Sequence, residues 1–144
     1  MTTKTADTLI EIWLLDDDDI VRSTTAQWLR LSGYDVREFQ DGQTLLEQFS
    51  AGLPCIIVSD IRMSPIDGLT LMHERQKLEK DLPILLITGH GDVDTAVNAL
   101  RDGAFDFLEK PFNPNRLTQT VEKAIHLRKM QYQQANQSLY LGEL

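Results

Sequence analysis

The chain has 144 residues, 42% hydrophobic and 25% charged, with 14 Lys and Arg against 22 Asp and Glu for a net charge of −8. That is enough for one domain with a sizeable core, and the acidic excess argues against direct nucleic-acid binding by this segment. No apolar run approaches the about 20 residues of a membrane-spanning helix, no signal-peptide pattern opens the chain, and the single Cys55 cannot form an internal disulfide, so a reducing cytoplasm is the expected compartment.

The first apolar run, EIWLL at 11–15, ends in four consecutive aspartates, Asp16 to Asp19. A helix is predicted over 19–32, where Ile20, Thr24, Trp28 and Leu31 recur at spacings of four and three. YDVREF at 34–39 alternates apolar with polar residues, as an edge strand does, and precedes a helix at 42–50. CIIVS at 55–59 is nearly continuous in apolar residues, as expected for a strand covered on both faces, and Cys55 reads there as a small buried group. Asp60 ends this strand, and a helix follows over 67–79. PILLIT at 83–88 ends in Thr88. The next helix, 93–102, carries the stripe Val93, Ala96, Val97 and Leu100, with Asp92 as cap and Gly103 as stop. FDFL at 105–108 runs into Lys110-Pro111, and Asn113-Pro114 opens the last helix, 114–138, as an N-cap followed by proline at the first helical position. Five strands alternating with five helices over short connections predict an α/β fold, a doubly wound five-stranded parallel sheet with helices on both faces.

In open parallel sheets, sites form beyond the carboxyl ends of the strands. Those ends carry Asp16 and Asp17, then Asp60, Thr88 and Lys110, while strand two contributes nothing comparable. Each feature alone has a plain explanation as a cap, turn or surface loop. Together they place three carboxylates, one hydroxyl and one ammonium on one edge. Carboxylates crowded in a crevice favour a cation, and hard oxygen donors with one or two direct carboxylates suit Mg²⁺. Phosphoryl transfer needs such an electrostatic clamp more than a general base, and a carboxylate can itself be the nucleophile. Strand three is central in this topology, so Asp60 is the best-placed acceptor.

These residues resemble the receiver domain of two-component response regulators. LLDDDDIVR is similar to that family's first strand with its acidic pair, VSDIRM to the phospho-acceptor motif, LLITGH to the hydroxyl strand, and FDFLEKPF to the lysine–proline motif. The similarity covers residues 10 to about 128 and implies the CheY-like, flavodoxin-like fold. DGLTLM and TGHGDVDTAVNALRDGAFDFLEKPF resemble the NtrC/DctD type, receivers that precede a sigma-54-dependent ATPase and a DNA-binding domain. The resemblance implies a regulatory phospho-acceptor rather than an enzyme. Asp60 would take phosphate from a sensor histidine kinase. Asp17 and Asp60 would bind Mg²⁺ directly with the main-chain carbonyl of Arg62, Asp16 would act through metal-bound water, and Thr88 and Lys110 would hold the phosphoryl group. Phe107 matches the switch aromatic that turns inward with the threonine. One departure is Pro65, shifted by one in the loop Met63-Ser64-Pro65-Ile66-Asp67-Gly68. It fixes φ at a different place and changes the loop's contacts. His90 and Arg62 flank the site, and neither clearly positions water, so slow self-dephosphorylation is expected.

Residues 113–144 carry 4 Lys and Arg against 2 Asp and Glu, whereas residues 1–112 carry 10 against 20. The receiver is expected to span 1–128 and a helical linker 129–144, leading toward an output domain through which alone DNA would be bound. Tyr132, Ala135 and Leu139 continue a thin apolar stripe amid glutamines, until Gly142, which suits a homodimer paired through this helix, with the fourth helix and fifth strand. Two other readings fit less well. A haloacid-dehalogenase-like phosphatase would use Asp16-x-Asp18 but leaves Asp60 without a role. A pseudo-receiver should have lost a site residue, and a nucleotide-binding module lacks a glycine-rich loop after strand one.

Overall fold

The computed structural model describes residues 9–89 and 91–142, with side chains as far as residue 134. The elements run β1 (Glu11–Leu15), α1 (Asp19–Leu31), β2 (Val36–Phe39), α2 (Gly42–Gln48), β3 (Cys55–Asp60), α3 (Gly68–Leu78), β4 (Ile84–Thr88), α4 (Val93–Arg101), β5 (Asp106–Glu109) and α5 (Pro114–Gly142). The sheet is parallel, in the order β2-β1-β3-β4-β5. The alternating strand β2 lies at an edge and β3 at the centre, as the patterns predict.

Side chains alternate between sheet faces, and two apolar layers result. Trp13, Leu15, Ile57, Ile84 and Leu86 pack under α2, α3 and α4 through Leu45, Leu71 and Ala96. Ile12, Leu14, Ile56, Val58, Leu85 and Ile87 pack under α1 and α5 through Leu29, Leu117 and Val121. Cys55 is buried, and burial pushes its thiol up to about 12, so it behaves as an apolar group.

The predicted stripe of α1 faces the wrong way. Ala26 and Leu29 are the residues it buries, while Ile20 and Leu31 are 78% and 77% exposed and the Trp28 indole N–H donates to the Pro114 carbonyl at 3.2 Å. In α4, likewise, the buried pair is Ala96 and Ala99, and Val97 and Leu100 stay partly exposed. Small residues let a helix sit close to the sheet, so the buried face is marked by alanine rather than by bulk.

At the far edge of the sheet, α5 is fastened to two loops. Arg128, 2% exposed, forms a bidentate ion pair with Glu79 and donates to the Leu53 carbonyl at 2.7 Å. Gln131 donates to the Asp81 carbonyl at 2.7 Å, and the Tyr132 hydroxyl donates to the Gly52 carbonyl. The helix is therefore held to the body past residue 128. The stripe positions Ala135 and Leu139 lie outside the described side chains.

Candidate functional site

The four aspartates divide by role. Asp18 is the N-cap of α1 and accepts from the N–H groups of Ile20 and Val21 at 3.0 and 3.1 Å. Asp19 sits in the first turn, where a carboxylate meets the positive helix end, and pairs with Arg22 at 2.8 Å. Asp16 is buried just past β1 and accepts from the Asp18 N–H at 2.9 Å. Asp17 is exposed and lines an open cavity of about 500 Å³ shared with Arg62, Asp67 and Asp92.

Asp60 ends β3 in the middle of the edge. Lys110 Nζ donates to its Oδ2 at 2.9 Å, and the Arg62 N–H approaches its Oδ1 at 3.2 Å. Burial alone would lower the Lys110 ammonium, but the Asp60 bond and the neighbouring charges of Asp60, Asp16 and Asp18 outweigh it and hold it above its ordinary value. Asp16 is pushed up first by burial, against the hydrogen bond from Asp18, with the charges of Asp60 and Asp17 adding to the rise. The edge thus carries a surplus of negative charge that a single ammonium does not offset. Among the described residues no group of three His, Cys, Asp or Glu side chains could enclose a metal. The carboxylates of Asp16, Asp17 and Asp60 are hard oxygen donors of the kind that suit a divalent cation which keeps several of its waters.

Thr88 is fully buried at the end of β4, its hydroxyl donating to the Gly89 carbonyl at 3.3 Å. Phe107, on the neighbouring strand opposite Leu86, is partly buried against the layer under α2–α4. Thr88 continues the alternation of Ile84 and Leu86, so it shares a sheet face with Phe107. The predicted site residues Asp16, Asp17, Asp60, Thr88 and Lys110 therefore stand together at the carboxyl edge. His90 lies outside the described residues.

Two features escaped sequence reasoning. Asp92 stands at the N-cap position of α4 but makes no cap hydrogen bond there. Its carboxylate instead takes Arg62, with Nε at 2.5 Å and an η nitrogen at 2.7 Å. Gly68, which opens α3, lies against the Asp60 main chain: a Cβ there would sit 2.4 Å from the Asp60 carbonyl oxygen. The sequence places Gly68 at the start of the predicted helix 67–79, but nothing local signalled that close approach.

A central parallel sheet with this acidic, hydroxyl and ammonium set at its carboxyl edge defines a receiver. The chain belongs to the response regulator receiver family: the response regulator receiver domain matches residues 12–122. Among individual proteins, it is 40% identical over 137 residues to the C4-dicarboxylate transport transcriptional regulatory protein DctD of Pseudomonas aeruginosa, covering 95% of this chain and 30% of that protein. It is 36% identical over 128 residues to the DNA-binding transcriptional regulator NtrC of Escherichia coli K12, covering 89% and 27%. The chain spans less than a third of the length of either relative. Its fold matches a response regulator receiver domain protein from Clostridium thermocellum with a TM-score of 0.80 at 26% identity, covering 85% of this chain and 98% of that one.

Proposed function

We propose that Asp60 is the phospho-acceptor of this receiver. Its carboxylate would attack the phosphorus of a phosphohistidine on a sensor kinase, forming an acyl phosphate while the histidine nitrogen leaves. The observation that carries this reading is the central position of Asp60 with Lys110 at 2.9 Å. Lys110 is placed to follow a transferred phosphoryl oxygen, and the Thr88 hydroxyl, now on a weak local carbonyl bond, is free to be drawn to another. That withdrawal would leave room for Phe107 to turn inward on the same sheet face. Asp17 and Asp60 would hold Mg²⁺ with the Arg62 carbonyl, and Asp16 through a water; bound there, the ion offsets charge on the phosphoryl oxygens.

The relatives support an output in transcription, as the regulatory module of a sigma-54-dependent activator that binds DNA through a separate domain. The part-exposed Val97, Leu100 and Met130 on α4 and α5 favour pairing of two copies across that side. Light scattering that shows a monomer at tens of micromolar, with and without a phosphate mimic, would remove the dimer. For the acceptor, incubation with Mg²⁺ and acetyl phosphate followed by intact mass should give one phosphate adduct, absent in Asp60→Asn and without Mg²⁺. No adduct on the unsubstituted chain would falsify the assignment.

A further inference from the structure

Arg62 stands two residues after the acceptor, its N–H directed at Asp60 and its side chain reaching the other way to Asp92 at the start of α4. The side chain of Arg62 is 78% exposed and that of Asp92 only 10%, so the guanidinium lies over a carboxylate set into the wall. Both line the cavity that Asp17 also lines. Arginine's planar fork matches a carboxylate in two bonds at once, which fixes its direction as a single ammonium contact would not. Asp92 is spared for this: α4 begins without a side-chain cap from it.

The two groups that pull on Arg62 differ. Asp60 and Asp17 form the acidic edge, and a flexible guanidinium attached two residues from Asp60 would settle on them if nothing else held it. There it would occupy the oxygens that a divalent cation needs. We propose that Asp92 is a positioning residue: it holds the Arg62 guanidinium to the wall of the cleft and so keeps a competing cation off the Asp17 and Asp60 carboxylates. The same pair ties the start of α4 to the peptide that follows the acceptor. The side-chain partner of Asp92 is Arg62, and Asp92 acts through it.

This rests on the reading that the cleft takes Mg²⁺, and a double-mutant cycle separates the two. Mg²⁺ dissociation constants are measured by isothermal titration calorimetry on the unsubstituted chain, Asp92→Ala, Arg62→Ala and the double variant, with thermal melts to show that each is folded. If Asp92 were only a nearby charge, removing Arg62 would change Mg²⁺ affinity by the same factor in either background. The clamp predicts otherwise. Asp92→Ala should weaken Mg²⁺ by about tenfold, and Arg62→Ala should change it about twofold in the unsubstituted chain but restore about tenfold in the Asp92→Ala background. Equal factors in the two backgrounds, or an Asp92→Ala that binds like the unsubstituted chain, would overturn the clamp and leave the acceptor site standing. Failure of the unsubstituted chain to bind Mg²⁺ at all would overturn the underlying reading.

Discussion

Replacing Gly68 with alanine sets two effects of opposite sign against each other. Gly68 is the first residue of α3, and within a helix alanine is favoured over glycine by up to about 1 kcal/mol. Propensity alone therefore predicts a more stable protein. The surroundings predict the reverse, because the added methyl would lie 2.4 Å from the Asp60 carbonyl oxygen, 2.9 Å from the Ile61 Cα and 3.1 Å from the Asp60 carbonyl carbon. All three are main-chain atoms, and the Gly68 N–H is bonded to the Ile61 carbonyl at 2.8 Å, so neither side yields cheaply. Overpacking a buried position costs about 1–3 kcal/mol, and contacts this short with backbone belong at the upper end. The net expectation for Gly68→Ala is a loss of about 2 kcal/mol, a fall in Tm of about 4–8 °C for a domain of this size. Urea denaturation at neutral pH, comparing midpoints at equal slope, measures it. Because two of the displaced atoms belong to Asp60, phosphate uptake from acetyl phosphate should slow as well. A Gly68→Ala protein as stable as the parent, or more so, would show that the close approach does not constrain the loop after Asp60.

Arg128→Ala should cost about 1.5–3 kcal/mol, since it removes the charge-assisted bonds to Glu79, which keeps the Gly52 N–H, and the bond to the Leu53 carbonyl. The Arg128 bond, against the opposing effect of burial, holds the Glu79 carboxyl below its ordinary 4.5, so the pair's contribution is fully present above that pH and fades as pH falls below it. Urea midpoints of parent and variant should therefore converge in acid, and a gap that widens there would contradict the assignment. Leu29→Ala should lose about 2–5 kcal/mol, whereas Leu31→Ala should stay within about 0.5 kcal/mol, both by urea denaturation; equal losses would mean that the buried face of α1 is wrongly placed. Asp17→Asn should abolish Mg²⁺-dependent phosphate uptake read by intact mass, while Asp19→Ser should leave it intact; the opposite pattern would reverse the division of the four aspartates.

The strands and the acidic edge were legible because their signals are local. Continuous apolar runs mark β1, β3 and β4, and an aspartate or threonine at the end of each, with Lys110 after β5, is visible without knowing the sheet order. The facing of α1 was not legible, since Ile20 and Leu31 are more apolar than Ala26, and hydropathy does not register how close a helix comes to its sheet. Arg75 and Arg128 were missed for a related reason. Arginine reads as a surface residue, yet Arg75 is 1% exposed with its guanidinium on the Lys80 and Gly103 carbonyls, and burial lowers it to about 10. The Arg62–Asp92 pair spans 30 residues, and no short-range pattern reports such a partner.

The fastening of α5 at Arg128, Gln131 and Tyr132 has a mechanical consequence. Beyond Tyr132 the helix runs on to Gly142, and at about 1.5 Å per residue this is an arm of roughly 15 Å. Its base is bolted to the loops at the edge of the sheet opposite Asp60, so the arm cannot swivel independently of the body. A turn of the body by about 10° carries the tip sideways by about 2.5 Å, comparable to the small helix displacements at interfaces that switch assemblies. An arm held this way turns with the body, so a small rotation at its base becomes a larger displacement at its tip.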